Sequence, residues 1–161
     1  MIVVVMGVAG SGKSTIGKML SERLSMAFIE ADDFHSKENV LKMSSGIPLT
    51  DEDRFPWLQS LAKELHVHEK NGGAVLACSA LKESYRQILQ KELHEKIIWI
   101  YLDGSEEVLR KRLQNRKGHF MPEQLLKSQL ATLEIPNDAY CFSIDKSPAD
   151  IVNGFMTLTG H

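Results

Sequence analysis

A glycine-rich run near the amino terminus carries the most specific chemical pattern in the sequence. It reads Gly7-Val8-Ala9-Gly10-Ser11-Gly12-Lys13-Ser14, with Thr15 behind it, and fits the phosphate-loop pattern of glycine, four residues, glycine, lysine and serine or threonine. Glycines let the backbone curl so that successive N–H groups point inward at phosphate oxygens. Lys13 can then reach the β- and γ-phosphates, and Ser14 is placed to bind the Mg2+ that bridges them. We therefore predict that residues 7–15 bind a nucleoside triphosphate with Mg2+, because a turn that only caps a helix needs neither Lys13 nor so many glycines.

Two carboxylates follow the second apolar run of the chain. Residues 27–31 predict a short strand, and Asp32 and Asp33 come directly after it. Ligands of open α/β sheets bind outside the carboxyl ends of the strands. Asp32 is our candidate for the catalytic base that orients the acceptor hydroxyl and takes its proton. The alternatives for Asp32 are an outer-sphere partner of Mg2+ or a helix cap, and we interpret Asp33 as a cap or a solvated neighbour.

Two arginines one helical turn apart are candidates for stabilising charge. Ser105 favours a helix start, and in that helix Leu109 and Leu113 share one face while Arg112 and Arg116 share another. Phosphoryl transfer depends on positioning and on neutralising charge more than on covalent chemistry. We expect Arg112 and Arg116 to close over the phosphates as catalytic residues. The alternative is a solvated helix face.

Five predicted strands alternate with helices along the chain. The strands are residues 2–6, 27–31, 74–78, 97–102 and 141–144. The helices are residues 13–25, a short stretch within 34–50, a long helix capped by Asp51 or Asp53 with Pro56 in its first turn, residues 81–93, a helix from 105, residues 123–133 and residues 149–158. This alternation predicts an α/β fold of three layers with a doubly wound, mainly parallel five-stranded sheet, as in small phosphate-loop kinases. The length of 161 residues predicts a single kinase domain, residues 1–161.

Two polar segments interrupt the alternation. Residues 34–50 follow the predicted active-site strand directly and end in the turn Gly46-Ile47-Pro48. A polar excursion at that position suits a substrate-binding flap. Residues 116–133 break one helix and resume another, which resembles a basic lid.

The charge balance bears on the choice of partners. Nineteen Lys and Arg residues stand against 21 Asp and Glu residues, for a formal net charge of -2, which gives no general attraction to nucleic acid or to an anionic membrane. The apolar run at residues 2–6 is too short for a signal-peptide core or a membrane span, so we expect a cytoplasmic protein.

Cys78 and Cys141 both lie in apolar runs and are expected to be buried, reduced thiols.

Several segments beyond the phosphate loop form a longer and more specific pattern. They are Asp32-Asp33-Phe34-His35, Asn39, Lys42-Met43, Gly46-Ile47-Pro48-Leu49, Asp51-Glu52-Asp53-Arg54, Pro56-Trp57-Leu58, Ala77-Cys78-Ser79-Ala80-Leu81-Lys82, Tyr85-Arg86, Arg112, Arg116-Lys117-Gly118-His119-Phe120, Ser128-Gln129 and Leu133-Glu134. In this order they resemble the gluconate kinase (gluconokinase) family over nearly the whole chain. One departure is Ser36, where that family often has a proline after the histidine.

The resemblance implies a nucleoside-monophosphate-kinase-like fold, ATP and Mg2+ as cofactors, gluconate as acceptor, 6-phosphogluconate as product and commonly a homodimer. Gluconate is an anion, and the planar fork of Arg54 or Arg86 would suit its carboxylate, unless these arginines pair with nearby acids such as Asp51 or Glu83. His35 and Lys42 are candidates for contacts with the sugar hydroxyls.

Other roles stay open at the level of the sequence. Lys117, His119 and Gln129 are candidates for lid closure or for contact with adenine. Two alternative functions also remain: a kinase for another small acceptor, such as shikimate or a nucleoside monophosphate, and a nucleotide-dependent switch that phosphorylates no small molecule.

Overall fold

A computed structural model describes residues 1–116 and 123–161. Within these ranges the chain forms five strands, seven α-helices and one short 3-10 helix. They are β1 (Ile2–Met6), α1 (Lys13–Leu24), β2 (Ala27–Glu30), the 3-10 helix (Ala31–Phe34), α2 (Lys37–Ser44), α3 (Asp51–Lys70), β3 (Ala74–Ala77), α4 (Glu83–Gln90), β4 (Ile98–Asp103), α5 (Glu106–Gln114), α6 (Glu123–Thr132), β5 (Tyr140–Ser143) and α7 (Pro148–Thr159). Of the predicted lid, Lys117 and His119 lie outside the described residues.

The sheet has the strand order β2-β3-β1-β4-β5, and every pairing in it is parallel. β1 occupies the centre, with Val5 opposite Ala77 of β3 on one side and Ile100 of β4 on the other. All five residues of β1 are buried, as a central strand covered on both faces requires. The carboxyl end of the central strand therefore delivers the glycine-rich loop to the edge where ligands bind. The predicted α/β fold with a mainly parallel five-stranded sheet is confirmed.

The helix that follows the loop is fixed to the sheet by one apolar stripe. Ile16 and Leu20 of α1 are buried, and Gly17 faces the Phe28 ring so closely that an added Cβ would lie 2.8 Å from it. Gly10 and Gly12 of the loop have φ angles of 81° and 96°, which favour glycine. The conformation of the loop thus depends on Gly10 and Gly12, and the close packing of α1 on the sheet depends on Gly17.

The structure corrects two local predictions about α3. The cap is Thr50, whose hydroxyl accepts from the Asp53 N–H while the Asp53 carboxylate accepts from the Thr50 N–H. Asp51 and Asp53 were wrong as caps because a capping box needs the hydroxyl at the cap and the acid three residues later. The helix begins at Asp51, so Pro56 lies in its second turn.

The two cysteines differ in their surroundings. Cys78 is buried, and that burial raises the pKa of its thiol to about 12. Cys141 is exposed, so the prediction of a buried thiol was wrong there. β5 is an edge strand in which Phe142 alone is buried, and the side chain of Cys141 points to the opposite face.

None of the helices in residues 1–116 and 123–161 combines the length and the apolar character needed to cross a membrane.

Candidate active site

A cleft of about 560 Å³ opens where the central strands end. The phosphate loop forms one wall, and the 3-10 helix, the start of α3 and the ends of α5 and α6 form the others. The predicted site residues that line it are Ala9, Gly10, Gly12, Lys13, Ser14, Thr15, Asp32, His35, Arg54, Arg112 and Arg116. Gly7, Val8 and Ser11 form the buried base of the loop. Lys42 and Arg86 are absent from the described lining.

Lys13 lies folded over its own loop. Its Nζ donates to the Val8 carbonyl at 3.0 Å. Burial lowers the pKa of Lys13, and the nearby Asp32 and Glu30 carboxylates oppose that shift. A buried ammonium group gains stability from an anion in contact with it. The loop therefore holds a cation whose charge a bound phosphate would support.

Ser14 is paired with a carboxylate that the sequence analysis missed. Its Oγ donates a short hydrogen bond to Glu30 Oε2. Glu30 is the last residue of β2 and lines the cleft with Ser14. A hydroxyl beside a carboxylate is an oxygen donor set of the kind that Mg2+ prefers. The sequence could have indicated Glu30 only by its position, because Glu30 ends a strand two residues before Asp32. It was missed because it lies inside an apolar run.

Asp32 enters the cleft on the 3-10 helix that continues β2. The Ala31 carbonyl in this turn accepts from Trp57 Nε1 at 2.7 Å, which ties the turn to α3. Burial lowers the pKa of Lys13 and the pKa of His35. The nearby Asp32 carboxylate opposes both shifts without reversing them. Both aspartates are exposed, but Asp32 lines the cleft and Asp33 is not among the described lining residues. The fold therefore separates the two neighbouring aspartates and brings Asp32 to the loop lysine.

His35 is held as a neutral ring. It stacks on Trp57 with ring centroids 4.1 Å apart, and burial lowers its pKa. Asn39 Nδ2 lies 3.3 Å from His35 Nδ1 and 2.9 Å from the Asp53 carbonyl. Because that carbonyl can only accept, the amide nitrogen faces both groups and His35 Nδ1 is the acceptor. The proton of the neutral ring is therefore on Nε2, which makes His35 a potential hydrogen-bond donor.

Arg54 is anchored from one side. Its Nη1 donates to the Leu49 carbonyl at 2.8 Å and to the Tyr85 hydroxyl at 3.0 Å. The Tyr85 hydroxyl in turn donates to Asp51 Oδ1 at 2.5 Å, and Lys82 pairs with the same carboxylate at 3.3 Å. Both anchoring bonds use Nη1, and Nη2 has no partner within the described part of the chain. Arg54 thus keeps half of its guanidinium fork for a ligand.

Lys42 and Arg86 make their polar contacts elsewhere. Lys42 Nζ lies 3.0 and 2.9 Å from the two Asp53 carboxylate oxygens. Arg86 is buried, with Nη1 on the Ala80 carbonyl at 2.7 Å, Nη2 on the Glu134 carbonyl at 2.9 Å and Nε on Glu83 at 3.2 Å. The contact of Arg86 with Glu83 fits the alternative that this arginine pairs with a nearby acid.

Arg112 of α5, Arg116 and Gln129 of α6 approach the loop. α5 ends at Gln114 with Asn115 as its cap, so Arg116 lies beyond the helix and the prediction that it shares a helix face with Arg112 was wrong. Arg112 Nη2 donates to the Ile144 carbonyl at 2.7 Å, and its Nη1 lies 3.4 Å from the Gly10 carbonyl. Arg116 is close enough to Lys13 to lower its pKa. Gln129 of α6 accepts the Ala9 N–H at 2.8 Å and lines the cleft. Two arginines and an amide therefore lie around the loop at this side of the cleft.

Known proteins resemble this chain over most of its length. The family model described as Shikimate kinase matches residues 9–146. A gluconokinase from Gluconobacter oxydans (strain 621H) is 52% identical over 136 residues, which cover 84% of this chain and 76% of that protein. The thermosensitive gluconokinase of Escherichia coli (strain K12) is 48% identical over 135 residues, which cover 83% of this chain and 71% of that protein. The chain belongs to the gluconokinase family and also matches the Shikimate kinase family model.

A solved structure of a member of the gluconokinase family agrees. The gluconokinase from Sinorhizobium meliloti 1021 superposes with a TM-score of 0.85 at 40% identity, covering 99% of this chain and 97% of that chain. The family resemblance inferred from the motifs is confirmed. The prediction that the chain is a kinase is confirmed as well, and a kinase of this family uses a nucleotide as its phosphoryl donor.

Proposed function

We propose that this protein transfers the γ-phosphoryl group of ATP to a hydroxyl of D-gluconate and releases ADP and 6-phospho-D-gluconate. The observation that carries the proposal is a single cleft in which the phosphate loop faces Asp32 and Arg54, in a chain 52% identical to a gluconokinase. The loop suits a nucleotide, while an acidic group and a half-free arginine suit a hydroxylated anion.

On the donor side, the N–H groups of the loop bind the phosphates, and Lys13 leaves the Val8 carbonyl to contact them. Ser14 and Glu30 would hold Mg2+. When bound, Mg2+ neutralises charge on the β- and γ-phosphate oxygens. The cofactor pair is therefore ATP and Mg2+.

On the acceptor side, Asp32 accepts the proton of the attacking hydroxyl group. The same carboxylate holds the hydroxyl oxygen in line with the γ-phosphorus. Arg54 turns its free Nη2 to the gluconate carboxylate, and neutral His35 donates from Nε2 to a sugar oxygen. Arg112 and Arg116 stabilise the negative charge on the transferred group. Residues 34–50 would act as the flap over gluconate and residues 116–133 as the lid over ATP.

Three further expectations belong to this proposal. They are one kinase domain over residues 1–161, a homodimer and a cytoplasmic location. Each stays a prediction.

The test is product formation. Purified protein is incubated with ATP, Mg2+ and gluconate, and 6-phosphogluconate is measured with a coupled dehydrogenase. A Lys13→Ala variant is the control. We expect product from the unaltered protein and none above background from the variant.

Shikimate is the second acceptor to test, since the matching family model is described as Shikimate kinase. A panel of sugar acids and shikimate in the same assay ranks the acceptors. Product with shikimate but not with gluconate would overturn the proposal. ATP hydrolysis that ignores every acceptor would favour a nucleotide-dependent switch.

A further inference from the structure

Three metal-ligating side chains meet far from the cleft. His66 and Glu69 lie one turn apart near the end of α3, and His94 lies in the loop between α4 and β4. One ligand atom from each residue lies within 4.8 Å of the other two. Within residues 1–116 and 123–161 they are the one group of this kind. Glu69 and His94 are 25 positions apart in the sequence, so sequence spacing did not predict the group.

Glu69 is already oriented as a ligand. Its Oε1 accepts the backbone N–H groups of His94 and Glu95, both at 2.9 Å. Its Oε2 lies 3.1 Å from His94 Nδ1, and only 7% of the Glu69 side chain is exposed. Two backbone donors thus fix one oxygen and present the other to the histidine.

His66 is fixed in a similar way. Its Nδ1 lies 2.8 Å from the Glu92 carbonyl, which can only accept, so Nδ1 carries the proton and Nε2 keeps its lone pair. A hydrogen bond from the second ring nitrogen to a carbonyl is the usual support of a metal-bound histidine. The ring of His66 is therefore set with a free donor atom.

The spacing suits a small metal ion. Ligand atoms about 2.0–2.1 Å from zinc in a tetrahedron lie about 3.4 Å from one another. Glu69 Oε2 and His94 Nδ1 lie 3.1 Å apart, which is close to this value. The carboxylate can only accept, so His94 Nδ1 carries the proton of this hydrogen bond, and a metal ion that binds Nδ1 would displace that proton to solvent. The His94 side chain is 76% exposed, so its ring can turn to complete the approach to His66.

We propose that His66, Glu69 and His94 bind a divalent transition-metal ion, with Zn2+ as the representative of its class and water as the fourth ligand. Two imidazoles and one carboxylate favour such ions over Mg2+, which prefers oxygen ligands. The site is thus chemically distinct from the oxygen pair of Ser14 and Glu30 in the cleft.

The position of the site indicates a structural role. The end of α3 leads into β3 and the His94 loop leads into β4, so the site lies at the amino ends of the strands, opposite the cleft. The amino group of Met1, next to β1, pairs with Glu95 in the same loop at 3.3 Å. A metal ion there ties the end of a long helix to the loop that leads into the sheet.

The test is Zn2+ binding to the full chain without a histidine tag, measured by calorimetry at neutral pH with excess Mg2+. The variants are His66→Ala and His94→Ala. His68→Ala is the matched control, since His68 lies on the same helix but pairs with Glu64 at 3.2 Å. Melting temperatures in chelator establish that each variant is folded.

We expect one equivalent of Zn2+ to bind the unaltered protein and to raise its melting temperature. Loss of either ligand should weaken binding by about tenfold or more, whereas His68→Ala should bind like the unaltered protein. Absence of binding, unchanged affinity in both ligand variants, or an equal loss in His68→Ala would overturn the proposal. None of these readouts depends on the kinase reaction.

Discussion

The two halves of the cleft are built on different physical principles. The donor half, residues 7–15, is a continuous stretch whose ligands are backbone N–H groups and two adjacent side chains. The acceptor half gathers Asp32, His35 and Arg54 from separate elements and fixes them through side-chain contacts such as the stacking of His35 on Trp57. A backbone cradle needs only the right local conformation, whereas the acceptor half needs the whole fold. Changes to the acceptor half should therefore alter the recognition of one substrate while ATP binding persists.

The largest effect is expected from Asp32→Asn. The amide cannot accept the proton of the attacking hydroxyl, so turnover should fall by about 10²- to 10⁴-fold. ATP binding, measured by calorimetry, should stay unchanged because the loop is intact.

Asp33→Asn is the matched control, since it makes the same change at an exposed neighbour outside the described cleft lining. Its turnover should equal that of the unaltered protein. Full turnover in Asp32→Asn would remove Asp32 as the base. Loss of ATP binding would instead place Asp32 in the donor half.

The contrast between the halves also explains what the sequence could predict. The phosphate loop and β1 lie where the sequence placed them, because their signals are local: glycine spacing, a β-branched run and a helix that begins at Lys13. Arg54 and Arg86 match the same family pattern, yet only Arg54 lines the cleft. That difference depends on how α4 packs, which spacing along the chain does not encode.

The errors and omissions have the same origin. Cys141 was expected to be buried because its apolar run resembles an interior strand, but β5 is an edge strand with one face exposed. Glu30 was missed because a carboxylate inside an apolar run acquires its meaning only when Ser14 lies beside it.

Replacing Arg54 or Arg86 by methionine compares an arginine of the acceptor half with one outside the described cleft lining. Arg54→Met removes the half-free fork, and we expect the KM for gluconate to rise by about 10- to 100-fold, the loss of a hydrogen bond to a charged group. Arg86→Met leaves the carbonyls of Ala80 and Glu134 without a donor. It should lower the free energy of unfolding by about 2–4 kcal/mol and leave the KM nearly unchanged.

Steady-state kinetics and chemical denaturation of both variants separate these outcomes. If Arg86→Met raised the KM for gluconate without loss of stability, Arg86 would belong to the substrate site. If Arg54→Met lowered stability alone, the carboxylate would need another partner.

The smallest effect is expected from Tyr85→Phe. Tyr85 is a positioning residue in our proposal: the residue is buried, and its hydroxyl connects Arg54 to Asp51. Burial raises the pKa of Tyr85 to about 12, so the hydroxyl keeps its proton and donates to Asp51 at any working pH. Removing it releases one of the two bonds on Arg54 Nη1 at a cost of about 1 kcal/mol, which corresponds to a roughly fivefold higher KM for gluconate.

The split between kinetic constants distinguishes positioning from general damage. Tyr85→Phe should raise the KM for gluconate while kcat and the KM for ATP stay constant, because Asp32 and the loop are untouched. Tyr101→Phe is the control, since Tyr101 is also buried and its hydroxyl lies 3.5 Å from Asp103, outside the described cleft lining. An equal rise in the KM for gluconate in both variants would mean that the loss of any buried tyrosine hydroxyl weakens the enzyme. A change confined to Tyr85→Phe would show that a contact made behind Arg54 sets how the acceptor half presents its cation.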